Sequence, residues 1–190
     1  MVRQLLENRR VARVFAVSRS ATRNDALPGL FQQTGAKLLL IDADITSESG
    51  LQHLAETTQS VDALHLVVNC AGVLHGTGLS PEKSIEQASR SALEQVFSLN
   101  AFAPLLLAQA LLPQLCMKQP AVFASLSARV GSIGDTRSGG WYAYRASKAA
   151  QNQLLKTFSN EWKHRNPKGT SLLLHPCTVN TPLSTTLQAR

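Results

Sequence analysis

The chain has 190 residues and a mass of 20.5 kDa, enough for one sizeable core that buries roughly 70% of the unfolded surface, and a single domain over residues 1–190 is the expectation. Hydrophobic residues make up 44% and charged residues 16%, while no apolar run approaches the roughly 20 residues of a membrane span, so a soluble protein of the cytoplasm without membrane partners is expected. Three cysteines (Cys70, Cys116, Cys177) at unrelated spacings argue against a disulfide scaffold or a cysteine zinc cluster, and the formal charge of +7 raises the question of an anionic partner.

Much of that charge lies at the start. Residues 1–23 hold Arg3, Arg9, Arg10, Arg13, Arg19 and Arg23 against one acid, Glu7. A mitochondrial transit segment or a nucleic-acid footprint would be arginine-rich in this way, but Val11–Val17 alternates as a strand does, and no aromatics interleave with the basic residues to stack on bases. Nucleic-acid binding is not expected.

Further along, short runs rich in Val, Leu and Ile at Val11–Val17, Lys37–Ile41, Ala63–Val68, Ala121–Leu126 and Ser171–Leu174 read as buried strands. Longer segments between them read as helices: Asn24–Thr34, Ser47–Thr58, Glu86–Met117 with breaks at Pro104 and Pro113, and Ala143–Lys163. In the last, Ala143, Ala146, Ala150, Leu154, Leu155, Phe158 and Trp162 recur at helical spacing. Strands that are apolar throughout and separated by helices specify an α/β fold: a doubly wound, Rossmann-like, mostly parallel sheet flanked by helices. Such sheets bind ligands beyond the carboxyl ends of their strands.

Those ends carry Ser18-Arg19, Asp42-Ala43-Asp44-Ile45, Asn69-Cys70-Ala71-Gly72, Ser125-Leu126-Ser127 and Pro176-Cys177-Thr178-Val179-Asn180-Thr181. Any one of these alone reads better as an ordinary polar loop, but five together point to a shared nucleotide site. Tyr144 and Lys148, four residues apart at the start of the long helix, share one face, where an ammonium would favour the phenolate and lower the tyrosine's pKa. Asn100 falls on the apolar seam of its helix, and Pro104 four residues later has no N–H for the Asn100 carbonyl, so a kink is expected. Either a structural water satisfies that carbonyl or the water belongs to a proton path ending at Lys148. His53, His65, His75, His164 and His175 form no ligand-like pairs, so no metal is expected.

In combination, Asn69-Cys70-Ala71-Gly72, Asn100, a serine after the following strand, Tyr144-x-x-x-Lys148 and Pro176-x-x-x-x-Thr181 resemble the short-chain dehydrogenase/reductase family, in the family's order through almost the whole chain. Gly131-Ser132-Ile133 and the run from Gly139 to Lys148 are similar to its C-factor-like or sniffer-like carbonyl reductase branch. The resemblance implies an NADP(H)-dependent oxidoreductase interconverting a carbonyl and an alcohol. Tyr144 would be the general acid, Lys148 would hold the nicotinamide ribose, Ser127 would orient the substrate oxygen, and Asn100 would hold a relay water. Asn69, Ala71 and Gly72 would lie beside the adenosine ribose, Asp44 and Ile45 beside the adenine, and Pro176, Val179 and Thr181 at the carboxamide and phosphates. Ser18 and Arg19 fall where the ribose 2′ substituent lies, and the positive Arg19 favours NADP(H) over NAD(H). A homodimer through the helices carrying Asn100 and Tyr144 is a further implication.

The chain also departs from that family. No glycine-rich turn precedes the first helix; Met1–Asn8 resembles the later part of that helix, so the first strand is missing and a gap is expected in the middle of the sheet, between Val11–Val17 and Ala63–Val68. Little follows Thr181-Pro182-Leu183, so the chain reads as truncated at both ends. Ser127 stands 17 residues before Tyr144, a longer interval than usual; Ser125 and Ser132 compete with it, and alignment on Gly131 puts Ala128 at the catalytic position. Cys177 stands where a glycine commonly follows the proline. A catalytically silent fragment acting as an interaction module is the alternative to the enzyme.

Overall fold

The computed structural model describes residues 1–23 and 27–176. The chain divides into two compact units, Met1–Thr57 and Thr58–Arg190.

The first unit opens with helix α1 (Val2–Glu7), the segment read as the end of a helix from sequence, followed by strand β1 (Val14–Ser18), helix α2 (Leu27–Thr34), strand β2 (Leu38–Asp42) and helix α3 (Glu48–Thr58). β1 and β2 pair in parallel from Val14–Leu38 to Ser18–Asp42. Buried Leu6, Val14, Ala16 and Leu38 form its core, with Leu27, Leu30 and Leu40 packed against them. The end of α1 is closed by a lysine: Lys37 Nζ donates to the carbonyls of Leu6 (2.6 Å) and Asn8 (3.0 Å), satisfying acceptors that a helix end leaves open.

The second unit holds strands β3 (Leu66–Asn69), β4 (Ala121–Leu126) and β5 (Gly169–Leu174) in the order β3-β4-β5, all parallel. Parallel pairing demands crossovers. One is made by α4 (Arg90–Phe97), a π-helical turn (Ser98–Phe102), α5 (Ala103–Ala110) and α6 (Leu112–Leu115); the other is α7 (Tyr142–Arg165). The expected α/β architecture is therefore present, and the sheet's carboxyl edge is formed by Asn69, Leu126 and Leu174. Among the described residues the strands form two sheets, one of β1 and β2 and one of β3, β4 and β5.

The chain approaches Pro104 through a widened turn: the N–H of Ala103 reaches back five residues to the Ser98 carbonyl. The run Arg90–Ala110 also corrects the reading that nothing here is long and apolar enough to span a membrane, since by length and composition it is. Its inward seam of Val96, Asn100, Ala101, Ala103, Pro104, Leu107 and Ala108 is buried and α7 packs on it, as in a core helix.

At the far end of α7, Trp162 stacks on Phe158 (5.3 Å between centroids), which meets Phe123 of β4 edge-on at 5.8 Å. A Cβ on Gly169 would sit 2.8 Å from the Trp162 ring, so β5 begins with a residue lacking one. Asn166 ties the region together by donating to the carbonyls of Leu115 (2.8 Å) and Gln119 (2.9 Å).

Candidate active site

The turn into α7 positions everything that follows. Gly140 has φ +79°, and a Cβ there would lie 2.9 Å from the Glu82 carbonyl oxygen, so both conformation and space call for glycine. Trp141 takes a left-handed conformation (φ 57°) and offers no side-chain cap. The cap comes from Glu82 instead. This buried carboxylate accepts the N–H of Ala143 at 3.2 Å, and its carbonyl accepts the N–H of Trp141 at 2.6 Å. A negative group at a helix N-terminus satisfies orphan donors and complements the helix dipole. The Trp141 ring then meets Tyr144 edge-on at 6.4 Å.

Tyr144 and Lys148 lie one turn apart as expected, with Lys148 Nζ 5.9 Å from the centroid of the Tyr144 ring. The ammonium is turned toward the sheet: Nζ donates to the Leu126 carbonyl at 2.8 Å and to Gln151 Oε1 at 2.9 Å. Burial lowers the Lys148 pKa to about 8 and pushes the Tyr144 phenol up rather than down. The expectation of an acidified phenol is thus corrected. Desolvation is the cause, and the Lys148 ammonium is engaged by Leu126 and Gln151 instead. Among the described residues the Tyr144 hydroxyl forms no hydrogen bond.

The helix face that α7 buries also differs from the apolar stripe read from sequence. Ser147, Lys148 and Gln151 are buried, whereas Ala146 is exposed. Gln151 is fully buried, and its Nε2 donates to Ser125 Oγ at 2.7 Å; the same oxygen accepts from Asn69 Nδ2 at 2.9 Å. Asn69 Oδ1 in turn accepts the N–H of Ala71 at 3.2 Å. Sequence reasoning missed Gln151 because it sought apolar periodicity; the available signal was an amide three residues after Lys148, on the lysine's own face.

Asn100 is fully buried in the π turn. Its Oδ1 accepts the N–H of Val73 at 2.8 Å, and its Nδ2 donates to the Val73 carbonyl at 2.8 Å and to Ser147 Oγ at 3.1 Å. Ser147 Oγ donates onward to the Tyr144 carbonyl at 2.8 Å. The loop after β3 is thereby docked on the first turns of α7. A Cβ on Gly72 would stand 3.4 Å from Asn100 Oδ1 and 3.7 Å from Lys148 Nζ, so Asn69, Ala71, Gly72, Asn100, Tyr144 and Lys148 come together.

The competing serines separate. Ser125 is fully buried and holds the two amides. Ser127, at the end of β4, donates to Asn152 Oδ1 at 2.6 Å, and this bond rather than one to Tyr144 occupies its hydroxyl. Ser132 is exposed after the 3-10 turn Arg129–Gly131. Pro176 is exposed beyond β5, while Cys177, Val179 and Thr181 lie outside the described residues.

In the first unit, Ser18 Oγ accepts the N–H of Ser20 at 3.2 Å. Asp44 accepts from the Thr46 N–H (2.9 Å) and hydroxyl (2.6 Å), which hold its carboxyl below the usual range, with a smaller contribution from Arg19. Ile45 follows, half-buried. Arg19 is exposed and forms no ion pair among the described residues, leaving its guanidinium open to an anion.

Over residues 1–190 the chain matches the short chain dehydrogenase family, and it belongs to that family. It is 32% identical over 151 residues to a 1-hydroxy-2-glutathionyl-2-methyl-3-butene dehydrogenase of a Rhodococcus species, covering 76% of this chain and 64% of that protein. It is 36% identical over 92 residues to the C-signal protein of Myxococcus xanthus, covering 48% of this chain and 54% of that one. An NADPH-bound carbonyl reductase from chicken fatty liver superposes with a TM-score of 0.82 at 25% identity, covering 96% of this chain and 75% of that structure. The chain thus spans between 54% and 64% of these two curated relatives' lengths.

Proposed function

We propose that the chain is part of an NADP(H)-dependent oxidoreductase that interconverts a small-molecule carbonyl and its alcohol. The observation that carries this reading is the convergence of Tyr144, Lys148, Asn100 and Gly72 on one corner of the sheet's carboxyl edge, with the tyrosine hydroxyl left uncommitted. In the second unit the residues fit a nucleotide's ribose: Gly72 keeps the space beside the ammonium clear, and two of the three Lys148 hydrogens are engaged while one is left for a ribose hydroxyl. In the first unit, exposed Arg19 has the sign to meet a 2′-phosphate. That last feature favours NADP(H) over NAD(H).

When bound, the cofactor would supply the hydride exchanged with the carbonyl carbon. The chain's own residues manage the oxygen. Tyr144, its phenol held above the ordinary tyrosine range by burial, donates its phenolic proton to the developing alkoxide. Lys148 holds the ribose and stabilises the phenolate that remains after transfer. Asn100 fixes the Val73 backbone and, through Ser147, the first turn of α7, so its side chain positions the pair while its main chain is assigned the relay water. Ser127 is assigned the substrate oxygen, which requires its hydroxyl to turn from Asn152. Asn69 and Ala71 with Gly72, and Ser18, Asp44 and Ile45, are assigned the nucleoside, with Pro176, Val179 and Thr181 at the carboxamide and phosphates.

Exposed Leu93, Phe102 and Leu106 on the helices around Asn100 support pairing with a second copy.

NADPH consumption followed at 340 nm with aldehydes and ketones tests the reading, alongside quenching of NADPH fluorescence on binding. Turnover that disappears in Tyr144→Phe while NADPH still binds is expected. No binding and no turnover with any carbonyl would overturn the reading in favour of a silent interaction module.

A further inference from the structure

We propose that Gln151 is a positioning residue for Lys148, whose side-chain amide, anchored by Ser125 and Asn69, fixes the place and direction of the lysine's ammonium.

Gln151 is a buried amide in the interior of a helix. Gln151 is 0% exposed, and both of its polar ends are used: Oε1 by Lys148 Nζ at 2.9 Å, Nε2 by Ser125 Oγ at 2.7 Å and more weakly by the Leu126 carbonyl at 3.3 Å. The orientation of the amide is not free. Ser125 Oγ already accepts from Asn69 Nδ2 at 2.9 Å, and it takes Gln151 Nε2 as a second donor. With the NH2 end held there, the carbonyl end must face the lysine; a flipped amide would set N–H hydrogens against an ammonium. Asn69 is fixed in turn by the N–H of Ala71. One connected set of bonds therefore ties Lys148 to the ends of β3 and β4.

Gln151 also suits the charge it holds. Tyr144 and Gln151 face the ammonium from its own helix, the Leu126 carbonyl from β4, and Gly72 from the loop after β3. Of these only Tyr144 titrates, and no carboxylate among the described residues pairs with Lys148. A glutamate at 151 would bind the ammonium tightly and compete with any ligand for it. A leucine would leave it with one acceptor in a dry site. The neutral acceptor keeps the ammonium charged yet available, with one hydrogen left over.

The inference rests on the proposed function for its catalytic consequence, but its first test does not. Trace labelling of the whole protein with acetic anhydride across pH, read at the Lys148 peptide by mass spectrometry, gives the titration midpoint of that amine directly. Gln151→Leu is expected to lower the midpoint and Gln151→Glu to raise it, each by about one pH unit, with circular dichroism unchanged. Gln151→Met takes the place of the leucine variant if the latter unfolds. Midpoints that stay put, or move the same way in both variants, overturn the proposal, because loss of packing alone cannot produce opposite shifts. In the second arm, the alkaline limb of NADPH-dependent turnover should move in the same order, and Gln151→Leu should weaken NADPH binding at least tenfold. Opposite labelling shifts in a protein without turnover would uphold Gln151 and overturn only the enzymatic reading; turnover with unmoved midpoints would do the reverse.

Discussion

Asn100 binds Val73 as a neighbouring strand would, its side-chain oxygen taking the Val73 N–H and its side-chain nitrogen giving to the Val73 carbonyl, each at 2.8 Å. A buried amide thus does for a loop what a sheet ladder does for a strand, and a third bond to Ser147 links that loop to α7. Asn100→Ala should leave the Val73 N–H and carbonyl without their partner. At about 1–3 kcal/mol for each buried group left unsatisfied, urea unfolding should show a loss of several kcal/mol. Asn100→Asp has the same shape but cannot donate to the Val73 carbonyl, so it should also fold less stably than the parent chain. Equal midpoints for the three proteins would show that the loop does not depend on this amide.

Lys148 carries a stability cost that depends on pH. Its pKa in the fold is about 8 against 10.5 for an unperturbed lysine, a gap worth on the order of 3 kcal/mol. Below pH 8 both folded and unfolded chains hold the proton, and the full penalty of burying the charge is present. Between about 8 and 10.5 the folded chain has released a proton that the unfolded chain keeps, so the free energy of unfolding rises with pH through this window. The raised Tyr144 pKa acts oppositely, but only as pH approaches and passes the ordinary tyrosine value of 10.0. Urea unfolding at pH 7 and pH 9.5 should therefore show Lys148 making the chain more stable at the higher pH, and Lys148→Met should abolish that part of the difference. A parent chain and variant with the same pH slope would mean that the ammonium is not desolvated.

The order of strands and helices was legible because a sheet covered on both faces imprints itself on composition: β4 falls on Ala121–Leu126, the apolar run that marks it. The first and third strands start three residues later than their apolar runs. In the third, the N–H of Leu64 is spent on the Gln114 carbonyl, a connection made from far along the chain that hydrophobicity cannot reveal. The same limit governs the site. Tyr144, Lys148 and Asn100 could be found because their spacing on helices decides what they can share. The burial of Gln151 and Ser125 could not be read, although Ser125 stood out as a candidate hydroxyl, because a polar residue that is buried and satisfied looks, in sequence, like one that faces water. The direction of the tyrosine's pKa shift was illegible for a related reason: the sequence shows the neighbouring charge but not the depth of burial that opposes it.

Glu82 caps α7 from a distance of 61 positions along the chain, through Oε1 and the N–H of Ala143. Removing a helix cap costs about 0.5–2 kcal/mol, and Glu82→Ala should lose that together with the attraction of a carboxylate for the helix N-terminus. Glu82→Gln keeps an acceptor and gives up only the charge, so its unfolding midpoint should fall between those of the parent and the alanine variant. Because Tyr144 sits one residue past the capped N–H, turnover should follow the same ranking. A glutamine variant as unstable as the alanine one would assign the effect to packing around the buried side chain instead.

Gly131 closes the 3-10 turn that packs against α7 at Lys148. A Cβ there would lie 2.9 Å from both the backbone carbon and the Cβ of Lys148, and 3.2 Å from the Ala149 nitrogen. Backbone atoms of a helix interior cannot yield as a flexible side-chain tip can, so Gly131→Ala should push the turn away from α7 at a cost of about 1–3 kcal/mol, typical of overpacking. The displaced turn runs directly from Ala128, two residues after the Leu126 carbonyl that accepts from Lys148 Nζ at 2.8 Å. Retreat of the turn should therefore loosen the ammonium's anchor as well as the packing. Urea unfolding should register the first effect and NADPH affinity the second. The two readings should separate from those of an exposed glycine such as Gly134, where a Cβ meets nothing within 4 Å and alanine should be tolerated in both assays. If Gly131→Ala and Gly134→Ala behave alike, the close approach of this turn to Lys148 does not hold the site together.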